Sequence, residues 1–127
     1  MSKVVQVDLE LKKAFQELQA KMIETKQKIK MADIQIEQLN HTKAHSKLTQ
    51  TEILKLKPNN KMYEGIGRMF VFTDKDTINQ HVQERYDKAD EKIKTLENSK
   101  SYLERSLKDS ENNLREMIQQ RKDKGEL

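Results

Sequence analysis

The chain has no cysteine and no tryptophan, one proline and three glycines in 127 residues, and aromatic residues make up 5 % of it. Each shortage removes a class of explanation. Without cysteine there are no disulfides, no thiolate nucleophile and no cysteine-ligated zinc. With so few large apolar side chains, and 36 % of residues charged, the material for a sizeable globular core is missing. No apolar run approaches the ~20 residues of a membrane span, and the start, Met1-Ser-Lys-Val-Val-Gln-Val-Asp8, lacks the apolar region of a secretory signal. The end, Lys124-Gly-Glu-Leu127, differs from the Lys-Asp-Glu-Leu retrieval signal. The expectation is a soluble intracellular chain with no membrane partner. Its net charge of +4 arises from interspersed acids and bases, so a strong nucleic-acid footprint is also missing.

What is present is Glu, Lys, Gln and Leu with a clear apolar period, the profile of a long helix or coiled coil rather than of disorder. Asp8 is placed to cap a helix starting near Leu9. Leu11, Phe15, Leu18, Met22, Thr25, Ile29, Ala32, Ile36 and Leu39 then alternate at spacings of four and three, the coiled-coil signal. This first arm, residues 8–47, fades at Lys43 and Ser46. Thr49-Gln-Thr-Glu52 fits a capping box, which predicts a short separate helix over 49–57 ended by Pro58.

The breakers gather in and just before one stretch, Lys61-Met-Tyr-Glu-Gly-Ile-Gly-Arg-Met-Phe-Val-Phe-Thr73. It holds two of the three glycines and two of the three phenylalanines. Met62, Tyr63, Ile66, Met69, Phe70, Val71 and Phe72 are strand formers, and Gly65 and Gly67 supply positions of positive φ for a tight turn. The prediction for 61–73 is a β-hairpin whose second strand is apolar on both faces. A lone two-stranded hairpin is marginal in water and leaves its edges unpaired. The hairpin is therefore expected to pair with other chains and form the assembly site of an oligomer. The competing arrangement, with the hairpin folded back on its own coil, leaves too little surface to cover four large apolar residues.

Thr73-Asp-Lys-Asp76 reads as a helix start. Over 74–122 a second arm follows: Val82, Tyr86, Ala89, Ile93, Leu96, Leu103, Leu107, Leu114 and Met117 hold the same repeat, with Lys100, Ser110 and Arg121 at seam positions. The two seams match in length, about 50 Å each at 1.5 Å per residue. The fold class expected is mainly α, a long antiparallel two-helix coiled coil with a central β-hairpin, forming a single domain. Ser46 is expected to face Val82, and Leu11 to face Met117.

Other signals are weak. His41 and His45 stand at i, i+4 without a third ligand nearby, Gly65-Ile-Gly67 lacks the rest of a phosphate loop, and no nucleophile–base arrangement is evident. No enzyme activity, metal or cofactor is expected.

Helix, central Met62–Phe72 motif and helix at this length resemble the prefoldins, and within them the β-type subunits. Val7-Asp-Leu-Glu-Leu-Lys-Lys-Ala-Phe15, Ala32-Asp-Ile-Gln-Ile-Glu-Gln-Leu-Asn40 and Lys100-Ser-Tyr-Leu-Glu-Arg-Ser106 also carry the likeness. It implies a cytoplasmic heterohexamer of two α-type and four β-type subunits, with hairpins joined into a β-barrel platform and coiled coils projecting from it. It implies ATP-independent capture of unfolded proteins such as actin and tubulin, and their delivery to the cytosolic chaperonin. The client contact is then expected where both termini meet, at Val4, Val5, Val7, Leu9, Leu11, Phe15, Leu114, Met117 and Ile118. A contact of roughly 200 Å² there contributes about 5 kcal/mol before ordering costs, so several tips must act together. Arg115, Arg121, Lys122 and Lys124 could meet an acidic chaperonin surface, although a solvated charged face explains them as well. The competing function is a coiled-coil scaffold or tether that handles no unfolded chain.

Overall fold

The computed structural model describes the backbone of residues 2–125 and the side chains of residues 9–125. Two long helices, α1 (Ser2–Lys55) and α2 (Lys75–Asp123), flank two short strands, β1 (Tyr63–Ile66) and β2 (Met69–Phe72). The contacts gather these elements into two compact units. One is built from α1 up to Asp33 and α2 from Glu97 onward; the other is Ile34–Leu96 and contains the hairpin.

α1 departs from the sequence expectation at both ends. It begins at Ser2, so Asp8 lies inside the helix rather than at its start. No Gly or Pro precedes Asp8, and without a breaker nothing obliges the chain to leave helical geometry there. α1 also runs unbroken to Lys55, and the separate helix over 49–57 does not exist. Thr49 and Thr51 donate their hydroxyls to the carbonyls of His45 and Lys47, four residues back. These are mid-helix bonds, which replace the expected capping box. The helix ends in a tighter turn, Leu56 N–H to the Ile53 carbonyl, just before Pro58.

The covered positions keep the 3.5-residue period and extend it. In the unit of Ile34–Leu96, Ile36, Leu39, Lys43, Ser46, Gln50 and Ile53 on α1 are covered together with Val82, Tyr86, Ala89, Ile93 and Leu96 on α2. The seam thus continues through Lys43, Ser46 and Gln50, where it was expected to fade. In the other unit Leu11, Leu18, Met22, Thr25, Ile29 and Ala32 are covered, as are Lys100, Leu103, Leu107, Ser110, Leu114, Met117 and Arg121. Phe15 is the exception. It is exposed, while Ala14 beside it is half-buried.

Polar seam residues set the register. Lys43 Nζ meets Asp90 Oδ1 at 2.9 Å, and the Gln50 amide donates to Gln83 at 2.8 Å. In the other unit Lys100 Nζ meets Asp33 Oδ1 at 2.7 Å, and Arg121 Nη2 meets Glu10 Oε2 at 3.1 Å. Both lysine keys follow one rule: a seam Lys reaches the Asp that follows a buried Ala on the opposite helix, Ala89-Asp90 or Ala32-Asp33. This register differs from the expected one by about one helical turn. Facing Ser46 with Val82 would leave Lys43 and Lys100 about one turn short of Asp90 and Asp33. The observed register brings both lysines to those carboxylates. The Lys43–Asp90 bond favours the charged form of both its groups, and the bond to Asp33 favours that of Lys100. The Asp90 carboxyl is held below the ordinary 3.8 by hydrogen bonds from Lys43 and Lys94. Lys43 and Lys100 are raised above 10.5, chiefly by their bonds to Asp90 and Asp33. Ser46 is 2 % exposed and its hydroxyl has no partner, so this seam position is small rather than polar in effect.

Candidate functional site

The hairpin is antiparallel, with Tyr63 opposite Phe72, Glu64 opposite Val71, Gly65 opposite Phe70 and Ile66 opposite Met69. Its two-residue turn is Gly67-Arg68. Gly67 has φ of 62°, and no residue other than glycine has a positive φ among those described. That combination, glycine first and an ordinary second residue, is the II′ arrangement that matches strand twist. Gly65 does not form the turn, contrary to expectation. It lies within β1, where a side chain would stand 3.7 Å from the Phe70 ring. Met62 precedes β1, but its carbonyl accepts the Thr73 N–H at 3.0 Å and lengthens the ladder.

The hairpin is almost uncovered. Every residue of β2 is exposed, Phe70 to 80 %, and Tyr63 and Ile66 on β1 are exposed as well. Tyr63 and Phe72 pack edge to face with centroids 5.7 Å apart, an aromatic cross-strand pair that stiffens the sheet. The hairpin does not fold back to bury its apolar faces on the coil. Two polar ties hold its base: the Lys75 ammonium lies 3.5 Å from the Leu56 carbonyl, and His81 on α2 meets Glu64 on β1. Thr73 does not cap α2, since its hydroxyl donates to the Val71 carbonyl. Asp74 is the residue whose carbonyl accepts the first helical bond, from Ile78 N–H.

At the terminal part of the helices, the expected contact residues differ in access. Leu9 is 61 % exposed and Phe15 45 %. Leu11, Met117 and Ile118 are half-buried. Leu114 is 8 % exposed and packs in the seam, so it is covered rather than partly open as expected. Ala14, Leu18, Leu114 and Met117 line a shallow groove of ≈ 280 Å³. Val4, Val5 and Val7 lie outside the described side chains. Arg121, placed in the basic cluster by sequence, is engaged with Glu10. The Glu64–His81 contact and the two lysine keys are absent from the sequence reading. Lysine at a seam position and the repeated Ala-Asp pair were the available signal for the keys; nothing local marked Glu64 and His81.

Two long helices around an exposed apolar hairpin describe an architecture shared with known proteins. The sequence pattern of the prefoldin subunit family matches residues 16–121, most of the chain. This chain belongs to the prefoldin family. It is 60 % identical over 116 residues to prefoldin subunit 1 of Homo sapiens, covering 91 % of this chain and 95 % of the human protein. It is 40 % identical to the probable prefoldin subunit 1 of Caenorhabditis elegans over 117 residues, again 91 % of this chain and 98 % of that one. The fold is similar to the crystal structure of the prefoldin beta subunit from Thermococcus strain KS-1. That match has a TM-score of 0.69 at 18 % identity and covers 85 % of this chain and 91 % of the other. Family and fold agree: the chain is a prefoldin subunit, and its fold is similar to that of a prefoldin beta subunit. No helix among the described residues is long and apolar enough to cross a membrane.

Proposed function

We propose that this chain is a β-type subunit of a cytoplasmic prefoldin heterohexamer, two α-type and four β-type subunits joined through their hairpins. In this reading the complex captures unfolded or nascent polypeptides, of the actin and tubulin class, without ATP and passes them to the cytosolic chaperonin. The observation that carries the assembly role is the exposed hairpin. Tyr63, Ile66, Met69, Phe70, Val71 and Phe72 are all open to solvent on a two-stranded sheet that is marginal alone. Burying such side chains against neighbouring hairpins contributes about 1.5–3 kcal/mol each for the larger ones.

Client contact falls to the terminal part of the coil. Leu9 and Phe15 are available, and the groove bordered by Ala14, Leu18 and Met117 offers a shallow apolar seat, while Leu114 is buried. Leu11, Met117 and Ile118 border it as half-covered residues. Contacts of this kind are weak and non-directional, which suits a holder that must release its client, and several subunits acting together raise the affinity. The reacting groups of an enzyme have no part in this.

The hexamer containing this chain is expected to suppress aggregation of denatured actin without ATP. Removing residues 1–10 and 114–127 is expected to weaken suppression while gel filtration still shows a hexamer. Unchanged suppression after trimming would remove the client assignment and leave the reading of a scaffold or tether.

A further inference from the structure

The hairpin has two apolar faces, and the register sorts its residues between them. Tyr63, Gly65, Phe70 and Phe72 share one face; Glu64, Ile66, Met69 and Val71 share the other. A free ribbon could offer either face to a neighbour. One contact removes that freedom. His81 Nδ1 on α2 lies 2.9 Å and 3.0 Å from the two carboxylate oxygens of Glu64 on β1. A carboxylate only accepts, so Nδ1–H donates to it. Glu64 is the least exposed residue of the hairpin strands, its side chain 27 % accessible. Val71, opposite Glu64, is the least exposed apolar one, at 41 % against 80 % for Phe70 on the other face.

We propose that the Glu64–His81 bracket ties the second face to α2 at its base and thereby selects the aromatic face, Tyr63, Phe70 and Phe72, as the one that meets neighbouring prefoldin subunits. Gly65 belongs to the same device. With no side chain, it leaves that face flat beside the Phe70 ring, so that a neighbour can approach the sheet closely. Glu64 and His81 are positioning residues: they touch no partner and act through the direction of the hairpin. The proposal rests on the hairpin being the assembly site.

The test is reconstitution of the hexamer from purified subunits, read by native mass spectrometry, with circular dichroism confirming that each variant keeps its helices. Phe70→Asp is expected to abolish the hexamer and Met69→Asp, on the other face, to weaken it by a much smaller factor; Phe70→Ser and Met69→Ser repeat the comparison if the charged pair disturbs folding. His81→Leu is expected to weaken assembly about two- to fivefold, as loss of a half-exposed charged contact should. His81→Gln, which keeps an amide donor, is expected to restore it. Glu64→Leu in the His81→Leu background is expected to add nothing. A hexamer lost equally in the Met69 and Phe70 variants, or untouched by His81→Leu, overturns the face selection while leaving the hairpin as assembly site. A normal hexamer from Phe70→Asp overturns that reading itself, and the proposal with it.

Discussion

Gly67 and Gly65 stand two residues apart and serve different ends. Gly67 holds φ of 62° in the turn, a conformation that costs an L-residue about 1–2 kcal/mol. Gly67→Ala is therefore expected to lower the unfolding midpoint, while Gly65→Ala, whose new methyl would meet the Phe70 ring at ordinary contact distance, leaves it nearly unchanged. Thermal unfolding by circular dichroism compares the two. Ile93 is 6 % exposed at the seam, and Ile93→Ala is expected to cost about 2–4 kcal/mol in urea unfolding. The hairpin glycines were legible as turn formers from composition, but which of them turns was not. Both have flanks of similar strand propensity, and the choice follows from the pairing of Tyr63 with Phe72, a contact across the hairpin.

At the scale of elements, the helices are held in register by charge as well as by apolar packing. The sign of the pH response follows from the shifts. Asp90 has a folded value below 3.8, so its contribution is complete above that pH and lost as pH falls through the folded value. Lys43 and Lys100 are raised above 10.5, so theirs is present below that pH and lost as pH rises through the folded values. Asp90→Asn is expected to lower the urea midpoint at pH 7, and the gap to the parent chain should close on acidification below 3.8. A gap that persists at low pH would assign the effect to packing instead. The heptads were legible because apolar periodicity is local. The register was not, because it depends on which charges meet across two helices. Matching the seams by length alone leaves Lys43 about one turn from Asp90. The continuous α1 was also missed, since Thr49 and Glu52 have the spacing of a capping box whether or not the chain breaks there. What decides is that Gln50 and Ile53 find covered places on the seam.

Across the molecule as a whole, the apolar residues expected to hold a client differ in access. Leu9 and Phe15 are open in the terminal part of the coil, and Leu114 is closed. In the proposed chaperone, Phe15→Ser is expected to weaken the suppression of actin aggregation severalfold with little change in stability. Leu114→Ala is expected to do the reverse and lower the unfolding midpoint, by about 2–5 kcal/mol of stability. Light scattering and urea unfolding on the same samples separate the two. Equal effects would mean that contact and packing are one surface.

Two heptad-patterned helices, an apolar hairpin between them and the family to which they belong were legible in the residues alone, because period, breakers and motif are all properties of neighbouring residues. The rest came from packing. It carried α1 through to Lys55, moved the register about one turn to satisfy Lys43 and Lys100, turned Phe15 outward, and joined Glu64 to His81. Each of these depends on residues far apart in the chain, whose charges and volumes have consequences only once they share a space.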